Sequence, residues 1–220
     1  MSQEIFQAIH ENNRDKVAQL IAGNPALARV RNQEGVSAVM QARYEFRMEI
    51  AELLRNIAGE LDIFEAATLG DLPRLRALLA NDSELAKAFS NDGFTALHLA
   101  AFFGQPGAVE MILQHAPDVN AVSRNPMKVA VINAAAASRN AEVVKLVLRA
   151  GANPDTQQPM GYTALHSAAA NNSIDMVRAL LDAGADPAIR TDAGQTAAEM
   201  AVEKGNTEVA AILDSKRAAK

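Results

Sequence analysis

Residues Gly93 to Gly104 read GFTALHLAAFFG, and the phrase returns at Gly161 to Asn172 as GYTALHSAAANN. Each copy sets a histidine beside hydroxyl-bearing residues, so it is either a pair of reactive sites or one structural unit used twice. The surrounding pattern decides. Gly151-Ala152-Asn153-Pro154 recurs as Gly184-Ala185-Asp186-Pro187, and Gly161-Tyr162-Thr163-Ala164 recurs as Gly194-Gln195-Thr196-Ala197, both at an offset of 33 positions. A motif that recurs at constant period with its flanking turns intact is the mark of a repeat architecture.

The divergent N-terminal part joins the same scheme. EIFQAIHENNRDKVAQLI (Glu4 to Ile21) aligns without gaps on DIFEAATLGDLPRLRALL (Asp62 to Leu79), 58 positions on, and the register continues until Gly35 meets Gly93. Between them, GVSAVMQARYEFRMEIAELL (Gly35 to Leu54) fits as a further helix pair with a shortened return loop. Seven helix pairs follow, near residues 4–22, 37–56, 62–80, 95–115, 129–149, 163–182 and 196–215. The apolar stripe Val143, Val144, Leu146, Val147 and Leu148 is too wide for a lone pair to bury, so neighbours must stack on it. Paired alanines (Ala100 and Ala101, Ala135 and Ala136, Ala168 and Ala169) let the first helices approach closely. Gly151 and Gly184 end their helices, and Pro154 and Pro187 prevent continuation.

TALHLAA (Thr95 to Ala101) resembles the TPLHxAA motif of ankyrin repeats, with alanine in place of proline. EVVKLVLRAGANP (Glu142 to Pro154) and DMVRALLDAGADP (Asp175 to Pro187) resemble that repeat's second helix and following turn. The whole chain is similar to free-standing ankyrin-repeat proteins of bacteria. The resemblance implies an all-α fold: a single ankyrin-type α-solenoid, residues 1–220, of about seven stacked helix-turn-helix repeats. Within it, 1–91 are divergent repeats, 92–192 are well-matched central repeats, and 193–220 form a C-terminal capping repeat. The second unit has Phe46 where glycine or asparagine would ease the turn between helices. The fifth has Lys128-Val129-Ala130-Val131-Ile132-Asn133 in place of the glycine turn and TPLH, after a loop about two residues longer.

Composition excludes several functions. The chain has no cysteine, so disulfides, thiolate metal sites and a cysteine nucleophile are ruled out. A net charge of -5 argues against a nucleic-acid partner. The start MSQEIFQAIHENNRDK lacks the form of a signal peptide, and no apolar run approaches membrane-span length. A cytoplasmic monomer without membrane association is therefore expected. No phosphate loop, nucleophile elbow or paired zinc-ligand motif is present, so we expect no catalytic residues, no metal and no cofactor.

His98 and His166 stand two repeats apart, hence about 16–20 Å at ordinary helix spacing, and cannot share an ion. Ser167 follows His166 directly, and adjacent helical residues do not face each other. The resemblance assigns Thr95, His98, Thr163 and His166 a structural role, hydrogen-bonding within and between turns. His10 and His115 lack the motif and are expected at the surface.

The resemblance also implies a non-enzymatic protein-binding module that recognises a partner on a concave face of turn tips and first helices. Residues 92–125 are sparsely charged and hold Phe94, Phe102 and Phe103. Residues 126–159 carry Lys128, Arg139, Lys145 and Arg149 against two acids, Glu142 and Asp155. An apolar partner site of Phe94, Phe102, Phe103, Met127 and Tyr162, rimmed by Arg124, Lys128 and Arg139, is therefore expected. Tyr162 is the aromatic best suited to exposure. Two other readings are an enzyme or small-ligand site assembled from several repeats, and a self-associating structural protein.

Overall fold

The computed structural model describes residues 2–218, with side chains from residue 2 through 216. Among the described residues there are fourteen α-helices in seven antiparallel pairs and no named strand. The pairs are α1 (Ser2–His10) with α2 (Arg14–Gly23), α3 (Ala38–Tyr44) with α4 (Met48–Ala58), and α5 (Ile63–Leu69) with α6 (Leu72–Asn81). They continue as α7 (Ala96–Phe102) with α8 (Pro106–Leu113), α9 (Val131–Ala137) with α10 (Ala141–Arg149), α11 (Ala164–Ala170) with α12 (Ile174–Asp182), and α13 (Ala197–Glu203) with α14 (Thr207–Ala218). The repeat period thus matches the expected solenoid.

Local chemistry starts most of the first helices. Ser37 Oγ accepts from Met40 N, and Asp62 and Glu65 exchange reciprocal hydrogen bonds, as do Thr95 with His98 and Thr196 with Glu199. Such caps satisfy amides that these seven-residue helices leave free. Within every pair one residue takes positive φ between the helices: Asn12, Phe46, Gly70, Gly104, Arg139, Asn172 and Gly205. The strain expected at Phe46 is present, at φ 57°.

Consecutive first helices pack on one another, joined by alanines, with Ala100, Ala101, Ala135, Ala136, Ala168 and Ala169 fully buried. Second helices pack likewise, except that α4 and α6 barely meet. The core divides at the same place. One apolar cluster runs from Ile5 to Ala58 and another from Leu61 to Leu213, and Leu69 packs against both. Across this junction Arg31 pairs with Asp62 and Arg55 with Asp71, each at 2.7 Å, Arg43 donates to Thr68 O at 3.2 Å, and the small apolar cluster of Val36, Met40 and Leu99 bridges the two sides.

Before α3, α7, α9, α11 and α13 the chain makes a short hairpin, a finger, closed by bonds such as Ser90 N to Phe94 O at 2.8 Å and Thr191 N to Gln195 O at 2.9 Å. Fingers stack edge to edge. A side chain at Gly93 would put its Cβ 2.9 Å from Asn125 N of the next finger, so only glycine fits there. The finger before α9 is two residues longer, bridging Val122 to Ala130 where others bridge Phe89 to Thr95 or Arg190 to Thr196. Lys128 takes the glycine's place in it, at φ 46°. No finger precedes α5, whose approach is the tight turn at Gly59. The finger at 32–36 therefore meets the one at 89–94 directly, with a Cβ on Gly35 falling 2.2 Å from Asn91 Nδ2.

Candidate partner-binding groove

Fingers and first helices enclose a groove of about 1130 Å3 that reaches from Glu34 and Tyr44 to Gln158 and Ser167. Phe94, Phe102, Arg124 and Met127 line it. Phe102 is 36% exposed and Met127 55%. Arg124 is exposed too, its guanidinium carbon 3.8 Å over the Phe89 ring.

The other residues assigned to one patch by sequence lie elsewhere. Phe103 is half-buried beneath the groove, edge-on to Phe102 at 5.0 Å and stacked on Tyr44 at 5.9 Å, with Arg43 at 4.6 Å over its ring. Tyr162 is half-buried and edge-on to its own unit's His166, with ring centroids 5.8 Å apart. Phe94 stands toward His98 in the same way at 6.0 Å. In these two fingers the aromatic after the glycine is thus drawn onto the histidine of the helix it begins. Lys128 and Arg139 are exposed outside the groove lining, because Arg139 closes the α9–α10 turn at the far end of α9 from the fingers. A patch drawn from all these residues therefore divides into a groove, a packed layer beneath it and two peripheral cations.

The two motif histidines are buried. His98 Nδ1 accepts from Thr95 N at 3.3 Å, so its proton resides on Nε2, which donates to Val129 O of the next unit at 3.0 Å. His166 repeats this with Thr163 N at 3.2 Å and Gln195 O at 3.1 Å. Burial lowers the pKa of both imidazoles and keeps them neutral. No group of three or more His, Asp or Glu side chains gathers as a metal site would require among the described residues.

Among the groove residues that sequence reasoning missed are Tyr44, Asp92 and Asn133. Tyr44 Oη donates to Asp92 Oδ2 at 2.6 Å across the position of the absent finger. Burial, then the Asp92 carboxylate, push the phenol's pKa up, so it remains a donor. Nothing in the sequence announces this pair, which depends on two fingers meeting over α5. Asn133 could have been found: in register it occupies the histidine position, with Ala130 at the threonine position.

Helix pairs repeated with fingers on one side define a class, the helix-turn-helix solenoid. Two family models place the chain within it: "Ankyrin repeats (3 copies)" matches residues 131–219 and "Ankyrin repeats (many copies)" matches 63–113. The chain belongs to the ankyrin-repeat family, whose repeats generally mediate protein–protein interaction. Similar proteins include a rice (Oryza sativa subsp. japonica) probable E3 ubiquitin-protein ligase, XBOS31, 45% identical over 95 residues, or 43% of this chain and 21% of that protein. The rice E3 ubiquitin-protein ligase XB3 is 39% identical over 95 residues, with the same coverage. Human BCL-6 corepressor-like protein 1 is 32% identical over 134 residues, 59% of this chain and 7% of that protein. The chain therefore spans about a fifth of the rice relatives' length or less of the human one. No described helix is long and apolar enough to cross a membrane.

Proposed function

We propose that this chain is a non-enzymatic recognition module that binds a partner protein on the concave face made by its fingers and first helices. The observation that carries the reading is the groove itself: several successive units contribute to it, and it keeps Phe102 and Met127 exposed beside Arg124. Exposed apolar side chains next to charge are the usual make-up of an interface centre and its rim. Ubiquitin transfer, named for the rice relatives, is not carried over, because the chain covers 21% of each.

Affinity capture with the intact protein, run beside Phe102→Ala and Arg124→Glu, tests this. A partner retained by the parent should be lost or weakened about 10-fold or more by Phe102→Ala, as for an interfacial anchor. Arg124→Glu should mainly slow association, and the difference should shrink as salt is added. If both folded variants retain the partner as the parent does, recognition lies on another face.

A further inference from the structure

One backbone bond closes each finger and sets the fingers in register: Asn32 N to Val36 O, Ser90 N to Phe94 O, Ser123 N to Val129 O, Gln158 N to Tyr162 O and Thr191 N to Gln195 O. Two residues before each acceptor, at the fingertip, the stack reads Glu34, Asp92, Met127, Met160, Ala193. Ahead of these stand Pro126 and Pro159 in the two methionine fingers and Asp192 in the last. Two apolar tips therefore lie between acidic ones. Met160 is 67% exposed and holds φ 68°, a conformation strained for its side chain that little packing offsets. Strain held where stability gains little points to a use. Neighbouring fingers are tied by Arg124 N to Gly93 O and by Asp192 N to Met160 O, the donor in each case following the closing residue. In the finger before α11 that position is Pro159, which has no N–H, and no backbone hydrogen bond ties the two methionine fingers among the described residues. A methionine side chain, unbranched and polarisable, moulds to varied apolar surfaces.

We propose that the groove takes an amphipathic helix of a partner, laid along the stack, with apolar residues seven apart on Met127 and Met160 and basic residues one heptad outside them, facing Asp92 and Asp192. This rests on the reading of the groove as the partner-binding surface. Spacing selects the helix. Each finger is a hairpin of two strands, which at ordinary strand separation sets successive tips about 10 Å apart. Seven residues of helix advance about 10.5 Å and return to nearly the same face. An extended chain shows same-face residues every ~6.6 or ~13 Å, out of step with the tips. Charge selects the flanks: Glu34, Asp92 and Asp192 have no cation within ion-pair distance among the described residues. Asp92 already accepts from Tyr44 Oη and Ser90 Oγ, but a carboxylate has room for further donors. Arg31 and Arg190, in the outer fingers, are taken by Asp62 and Glu199. Two cations interrupt the row, Arg124 over the Phe89 ring and Lys128 beside Met127, and neither has a carboxylate within ion-pair distance among the described residues. An acidic residue adjoining the anchor on Met127 answers them.

The test is selection of phage-displayed random linear peptides of about 24 residues, long enough as a helix to cross four tips, on the intact protein. A synthetic copy of the strongest binder is then titrated. It should gain helicity on binding, read by circular dichroism, and carry apolar residues seven apart flanked by basic ones. Met127→Asp and Met160→Asp should each weaken it about tenfold or more. Asp192→Lys should weaken it by a margin that shrinks as salt is added, and indifference to that change would overturn the basic flanks. Deleting two residues between the peptide's apolar pair turns one anchor about 200° away and should abolish binding. Should a methionine variant fail to fold, alanine at the peptide's two apolar positions, read on the parent, decides. If the peptide is weakened by Phe102→Ala or Arg124→Glu yet indifferent to both methionine changes, or binds without gaining helix, or survives the deletion, the helix is overturned and the groove reading stands. A peptide that all the variants bind equally removes the groove reading as well. A selection that yields no binder overturns the helix inference.

Discussion

At the scale of single residues, His98 and His166 join neighbouring units rather than perform chemistry. Each imidazole accepts from the amide of its helix-starting threonine and donates to a carbonyl one unit on, so truncation leaves buried groups unpaired at both ends. His98→Ala and His166→Ala should each lower unfolding stability by roughly 1–3 kcal/mol, measured by urea denaturation. Acid should act on the same bonds. Burial holds both folded-state pKa values below the ordinary 6.5, so as pH falls the unfolded chain takes up these protons first. Stability contributed by the neutral imidazoles is present above about pH 6.5 and drains away below it. Between about pH 7.5 and 5.5 the parent should therefore lose more stability than the double variant His98→Gln, His166→Gln. Equal slopes for the two proteins would refute the assignment.

At the scale of elements, the seven turns between helices test how far local conformation constrains the repeat. Five of them place asparagine or glycine at the positive-φ position, and two place Phe46 and Arg139 there. Side chains other than glycine, asparagine or aspartate cost about 1–2 kcal/mol in the left-handed region, part of which glycine gives back through the entropy of its unfolded chain. Phe46 is also 67% exposed, so little packing is lost with its ring. Phe46→Gly should raise stability by about 0.5–1 kcal/mol, read as a higher urea midpoint at unchanged slope. A loss of stability would show that the ring holds contacts outweighing its strain.

At the scale of the whole molecule, two features of the stack set how it unfolds. The first is the end cap. Met176 and Leu180 are fully buried on α12, against which α14 packs, and the last unit carries the polar surface residues Glu203, Lys204 and Glu208. Removing residues 193–220 uncovers that apolar face, and light scattering and thermal melts should report aggregation or lost cooperativity. A truncated chain as monomeric and as stable as the parent would make the last unit dispensable. The second feature is the junction where the apolar core divides and α4 barely meets α6. In a solenoid each interface adds its own coupling, so the interface with the least apolar contact is where cooperativity breaks. Native-state hydrogen exchange in rising urea should show residues 2–58 opening as a block at lower free energy than residues 61–213. One common opening energy across the chain would contradict this.

The sequence by itself determined the repeat: seven helix pairs, the positions of their caps and turns, and the longer finger before α9. Each of these follows from local requirements, an apolar stripe at helical spacing, a threonine with its histidine three residues on, a glycine where φ is positive, and such requirements are written in consecutive residues. Even the strain at Phe46 was legible, because the register shows what the position needs. The groove was legible only in part. Phe94, Phe102, Arg124 and Met127 line it, while Phe103 is packed beneath it and Tyr162 lies against His166. What a side chain meets across units depends on which neighbours stand beside it and how far each reaches. Tertiary structure alone brought Tyr44 to Asp92, because one finger is missing and those on either side close over the gap. It alone left Asn133 without a partner, because a side chain shorter than histidine does not bond to the next finger.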